Sequence, residues 1–220
     1  MKSEKLTTTK TVNKNELKDV LCGASQVSYG TLIQAIARYL KRSESSSHKS
    51  EKSKSIKEEE TERLCQWIEE HNFWYTPIDI SSFISAGAEQ RVYLEGEKDV
   101  LKLNDGIYYA TWLDYLYNLL LNNYFFPDTA YELLGFYRED KTLYAVVRQS
   151  FVKENEPTSL EKVKAYLKNN GFETIRNNDY RNPELGIILE DLHDENVLTK
   201  DGILFFIDTV FYLENDFWND

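Results

Sequence analysis

The period of apolar positions changes along this chain, and the changes divide it into segments. Tyr29, Leu32, Ile33, Ile36 and Leu40 recur at helical spacing, which predicts a short amphipathic helix over YGTLIQAIARYLKR. SESSSHKSEKSKSIK, residues 43–57, holds one apolar residue, Ile56, and is expected to be a disordered linker. EEETERLCQWIEEHNFW, from Glu58, returns to a helical pattern and opens with acids that suit the positive end of a helix dipole. From Ile80 short apolar and β-branched runs take over: SSFIS, QRVYLEG, DVLKLN, TAYELLGFYRE and KTLYAVVRQSFV. Gly96, Asp105-Gly106 and Glu139-Asp140 punctuate them as turns. TWLDYLYNLLLNN falls between the third and fourth runs, with Trp112, Leu116, Leu119 and Leu120 on one helical face. SLEKVKAYLKNNGF is a further helix, with Gly171 placed to cap its C-terminus. The expected order is three strands, a helix, two strands, a helix, then short strand pairs. That order belongs to the α+β class.

Composition narrows this picture. The chain has 220 residues, 14% of them aromatic, enough for one domain or a small two-lobed one with a real core. No apolar run approaches the length of a membrane span, and MKSEKLTTTK lacks the apolar stretch of a secretory signal. Cys22 and Cys65 have neither metal-binding spacing nor a disulfide framework. A cytoplasmic location is expected.

The net charge of −11 is unevenly distributed. Residues 1–57 carry a balance of +7 and residues 58–220 one of −18. The acidic part is a poor binder of nucleic acid. The basic arm is compatible with an acidic partner, nucleic acid, its own domain, or plain solvation. Residues 1–57 therefore read as a basic arm and residues 58–220 as the main domain.

The chemistry concentrates in DLHDENVLTKDGILFFID, residues 191–208. Asp191 and Asn196 are five residues apart, and Asp208 follows Asn196 by 12. Upstream, VLKL places Lys102 in the third strand, and GAEQRVYL precedes it. By itself the Asp-Leu-His-Asp cluster reads more often as a polar turn, and Lys102 as an ordinary edge-strand lysine. In register they form a set that suits phosphoryl transfer, which needs positioning and charge neutralisation. Hard oxygen donors such as Asp208 and the Asn196 amide suit magnesium.

The strand order, the strand lysine and the DLHDEN loop resemble the protein-kinase-like fold, in two lobes with a truncated C-terminal lobe. DLHxxN, with histidine third, is closer to aminoglycoside and choline phosphotransferases than to ordinary protein kinases. GAEQRVY, TAYELLGF, LHDENVL and FID resemble the serine/threonine/tyrosine kinase domain of polyvalent proteins from bacterial mobile elements and phages, over about residues 74–213. The resemblance implies an N-terminal lobe over about 74–150 and a short C-terminal lobe over about 151–220. It implies ATP and Mg²⁺ as cofactors and a hydroxyl acceptor, on a Ser/Thr/Tyr residue or a small molecule. Asp191 is then the catalytic base and Lys102 the phosphate-holding lysine. Gly87 lies in the phosphate loop, Gln149 and Phe151 lie where a hinge meets adenine, and Asn196 and Asp208 hold the metal. His193 orients the loop, and Asp194 and Glu195 are solvated.

The chain departs from the family pattern at four points, and two of them, the missing glutamate and the missing lobe, favour an alternative, a noncatalytic pseudokinase or nucleotide-binding interaction module. Gly87 is the only glycine of the phosphate loop, and Leu189 rather than histidine precedes Asp191 by two. The helix after Lys102 has no glutamate, leaving Asp114 as the one acid that could pair with Lys102. The chain ends 12 residues after Asp208, so no activation segment or large helical lobe is expected.

Overall fold

Three α-helices and a 3-10 turn precede the first strand in the computed structural model, which describes residues 12–44 and 55–219. Helix α1 (Lys14–Cys22) starts at Asn13, whose side chain accepts from the Glu16 amide. It stops at Gly23, which takes φ 78°, where a Cβ would be strained. Helix α2 spans Gly30–Glu44. Helix α3 (Ile56–His71) opens with a capping box: Ser55 accepts from the Glu58 amide, and Glu58 reaches back to the Ser55 N–H at 2.9 Å.

These helices correct the expected basic arm at several points. α1 is an element the apolar spacing did not announce. The expected linker also loses both ends, because Ser43 and Glu44 continue α2 and Ser55–Lys57 begin α3. Residues 45–54, the middle of that linker, lie outside the described residues. More consequentially, residue 57 is not a packing boundary. Leu17, Val20 and Leu21 of α1 and Ile33, Ile36 and Leu40 of α2 are at most 1% exposed and belong to the main core cluster. Each contributes roughly 1.5–3 kcal/mol of burial. The apolar face of α2 is satisfied by this same domain.

The partner of α2 is α4 (Trp112–Phe125), whose burial is nearly continuous from Tyr115 to Asn123. A helix buried all round lies at the centre of a fold. Above it stands an antiparallel sheet of β1 (Phe83–Ala86), β2 (Gln90–Glu95), β3 (Asp99–Asn104), β4 (Glu132–Glu139) and β5 (Thr142–Ser150), in the order β1-β2-β3-β5-β4. In β3 Val100–Asn104 are all buried, as befits a central strand. The β4–β5 register shifts between Leu133 and Gly135, where a Cβ would stand 2.5 Å from the Phe73 carbonyl oxygen. That approach lets residues 73–75 hydrogen-bond to Phe136.

Beyond β5 come α5 (Leu160–Asn169), β6 (Glu173–Arg176), β7 (Asp179–Asn182), β8 (Ile187–Glu190), β9 (Val197–Lys200), β10 (Ile203–Phe206) and β11 (Val210–Leu213). α5 ends as expected, with Gly171 at φ 84°. β9 and β10 form a hairpin, and β6, β7, β8 and β11 a sheet in the order β11-β8-β7-β6. β11 packs on α4, and Trp112 at the start of that helix meets Phe136 of β4 edge-on, so the helix joins the two sheets. The fold is α+β.

Candidate active site

The loop 191–196 leaves β8 at Asp191, which adopts φ 64°. Asp and Asn are the residues that tolerate this left-handed backbone best, and non-glycine examples concentrate at functional sites. The turn is held from within. Asn196 Nδ2 donates to the Asp191 carbonyl at 2.9 Å and to Asp191 Oδ2 at 3.0 Å. His193 Nε2 lies 3.0 Å from Asn196 Nδ2 and 3.5 Å from Asp191 Oδ1. Its Nδ1 accepts from the Glu195 amide at 3.3 Å. His193 thus braces the loop, and Asp194 and Glu195 are exposed. With its amide nitrogen committed to Asp191, Asn196 has Oδ1 left to offer a cation, without a hydrogen-bond partner among the described residues.

The β9–β10 hairpin returns the chain to this loop. Both the Ile207 and Asp208 amides donate to the Asn196 carbonyl, at 2.9 and 3.3 Å. Asparagines on α4 then fix the following strand: Thr209 donates to Asn122 Oδ1 at 2.8 Å, and the Phe211 amide to Asn118 Oδ1 at 2.9 Å. Asn118 and Asn122 are buried polar residues with satisfied partners, and they set where Asp208 sits. Sequence reasoning missed them. Their signal was the polar asparagines interrupting an otherwise apolar helix.

Lys102 reaches the same place from β3. It is 5% exposed; its ammonium donates to the Ile207 carbonyl at 2.7 Å and stands 4.0 Å from Asp208 Oδ1. Burial lowers its pKa, while the charges of Asp208 and Glu89 oppose that shift. Asp114 is not its partner. That carboxylate accepts from Thr111 Oγ1 at 2.7 Å, and the Asp114 amide donates back at 3.0 Å, as part of the α4 cap.

Two spaces meet at Lys102. The larger, about 360 Å³, lies between Ala86, Gly87, Gln149 and Phe151 on one side and Asn196 and Asp208 on the other. That volume is in the range of small-molecule sites. A Cβ at Gly87 would meet nothing within 4 Å, so the loop leaves its backbone open to the cleft. The Gln149 side chain lies at the rear of the cleft and donates to the Thr129 carbonyl at 2.7 Å. Phe151 stands 44% exposed at the mouth, and its amide donates to the Lys98 carbonyl at 2.7 Å.

The smaller space, about 10 Å³, is lined beside Lys102 by Glu89, Asn104, Tyr115, Asn118, Tyr131 and Asp208. Glu89 was not singled out by its place in GAEQRVY. Its carboxyl is pushed up to about 7, first by burial and then by the charge of Asp208, against a hydrogen bond from Asn104. Gln90, next along, donates from Nε2 to Asp208 Oδ2. Among the described residues no group of three or more His, Cys, Asp or Glu side chains is arranged to hold a metal alone. A carboxylate plus an amide oxygen suits an ion that arrives with phosphate and keeps its waters.

Residues 57–215 match the family model of the serine/threonine/tyrosine kinase found in polyvalent proteins. The chain belongs to this kinase family. The match begins inside α3, so α1 and α2 lie outside it. No curated protein and no solved structure gives a significant match. The family makes the chain a kinase-like phosphotransferase in general terms. Among the described residues, no helix is long and apolar enough to cross a membrane.

Proposed function

We propose that this kinase-family chain binds Mg-ATP in the 360 Å³ cleft and transfers the γ-phosphoryl group to a hydroxyl acceptor. The five-stranded sheet and the segment after β5 act as the two lobes of a kinase-like fold. The observation that carries the reading is the convergence of Lys102, Asn196 and Asp208, from three separate elements, on one end of the cleft.

Asp208 and Asn196 Oδ1 are the groups that would hold magnesium, which would supply charge neutralisation at the phosphates. The chain's own groups do the rest. Lys102 presents a buried point charge to the phosphates. Gly87 lets the loop backbone approach them. Asp191, exposed beside the cleft-lining Asn196 rather than in the cleft wall itself, and oriented by Asn196 and His193, accepts the acceptor's proton. Gln149 closes the rear of the cleft, and Phe151 offers its ring at the mouth where a base would lie.

One observation favours the noncatalytic reading: α4 brings no carboxylate to Lys102. Binding and transfer separate the two. Calorimetry with ATP, with and without Mg²⁺, is expected to show metal-dependent binding, and labelled ATP to show slow autophosphorylation or hydrolysis. Binding without turnover across protein and small hydroxyl acceptors would favour the interaction module, and no binding would exclude both.

A further inference from the structure

Beside Lys102, α4 contributes Tyr115, Asn118 and Leu119 to the smaller pocket, and none of these is an acid. Besides Asp208, the carboxylate in that pocket is Glu89, on the turn between β1 and β2. Its backbone is anchored to the lysine's own strand, because the Glu89 carbonyl accepts at 3.1 Å from Asp105, the residue after β3. Glu89 Oε2 is buried and has no hydrogen-bond partner among the described residues. A buried carboxylate oxygen left open is costly unless a cation answers it. Lys102 is the only cationic side chain lining this pocket among the described residues.

We propose that Glu89 is the positioning carboxylate of Lys102, carried by the loop that covers the phosphates instead of by α4. This rests on the phosphotransfer reading above. In the present structure the ammonium is on the Ile207 carbonyl, with Asp208 at 4.0 Å. A cation and phosphates drawing on Asp208 leave Glu89 as the acid that holds the ammonium toward the nucleotide. Because Glu89 sits two residues from Gly87, seating of the loop and orientation of the lysine become one event.

The test is a double-mutant cycle on Mg-ATP affinity by calorimetry, using full-length wild type, Glu89→Gln, Lys102→Met and the double variant. Circular dichroism and nucleotide-free melts check folding. Glu89→Gln, nearly isosteric, is expected to weaken binding about tenfold in the wild-type background and hardly at all beside Lys102→Met. Glu89→Asp, which restores the charge on a shorter arm, is expected to recover part of the loss. Equal losses in both backgrounds, or wild-type affinity for Glu89→Gln, would overturn the proposal alone. A folded wild-type protein that binds no Mg-ATP would overturn the phosphotransfer reading and this proposal together.

Discussion

Gln90 Nε2, at the start of β2, donates to Asp208 Oδ2, an oxygen that the proposed metal ion would use. On the proposed function, Gln90 competes with the metal ion for Asp208. Replacing Gln90 by Ala removes the competitor without removing a charge. Affinity for Mg-ATP is expected to rise, by up to about tenfold for one hydrogen bond to a charged group. Asp208→Asn is expected to abolish the metal dependence. Titration calorimetry with and without Mg²⁺ checks both; a fall in affinity for Gln90→Ala would mean that the contact supports the site.

The second expectation concerns pH. Glu89 holds its proton up to about 7 when folded, against 4.5 as its ordinary value. Between these values the folded state binds a proton that the unfolded chain has released, so this group makes stability fall as pH rises through that window. Above it the contribution is constant. Glu89→Gln is expected to flatten the decline and to be more stable than wild type at about pH 8, yet not at about pH 4. Urea midpoints across the range measure it. Parallel curves for the two proteins would show that Glu89 ionises normally.

Truncation tests the core. α1 and α2 bury six large aliphatic side chains against the domain, and the Lys41 ammonium stands 3.8 Å from the centre of the Trp218 ring. Ile36→Ala is expected to cost about 2–5 kcal/mol, and removal of residues 1–57 to abolish cooperative folding. Lys41→Ala, losing one exposed cation–π contact, is expected to cost about 0.5–1 kcal/mol. A truncated chain beginning at Glu58 that melts like the full chain would show that the helices are dispensable.

The candidate site was more legible in the sequence than the packing around it. Asp191, Asn196 and Asp208 stand close in the chain, and a loop plus a hairpin converts their spacing into proximity. Lys102 was legible because it interrupts an apolar central strand. α1 escaped notice because Leu17, Val20 and Leu21 are set among charged residues, although Asn13 and Gly23 mark its ends. The docking of α2 could not be read from its own amphipathic face, which says that a partner exists but not which one. Glu89 was hidden for a similar reason. An acid in a surface-like turn becomes buried only once α4 and β3 close around it.

The most direct measurement is single-turnover transfer from labelled Mg-ATP by wild type and Asp191→Asn, with nucleotide affinity determined on the same samples. Asn suits the φ of 64° at this position, so the loop is expected to keep its shape. Binding should stay within about twofold, while transfer falls on the order of 100-fold or more for loss of a positioned base. Equal transfer by both proteins would contradict the assignment of Asp191, and with it the catalytic account of this site.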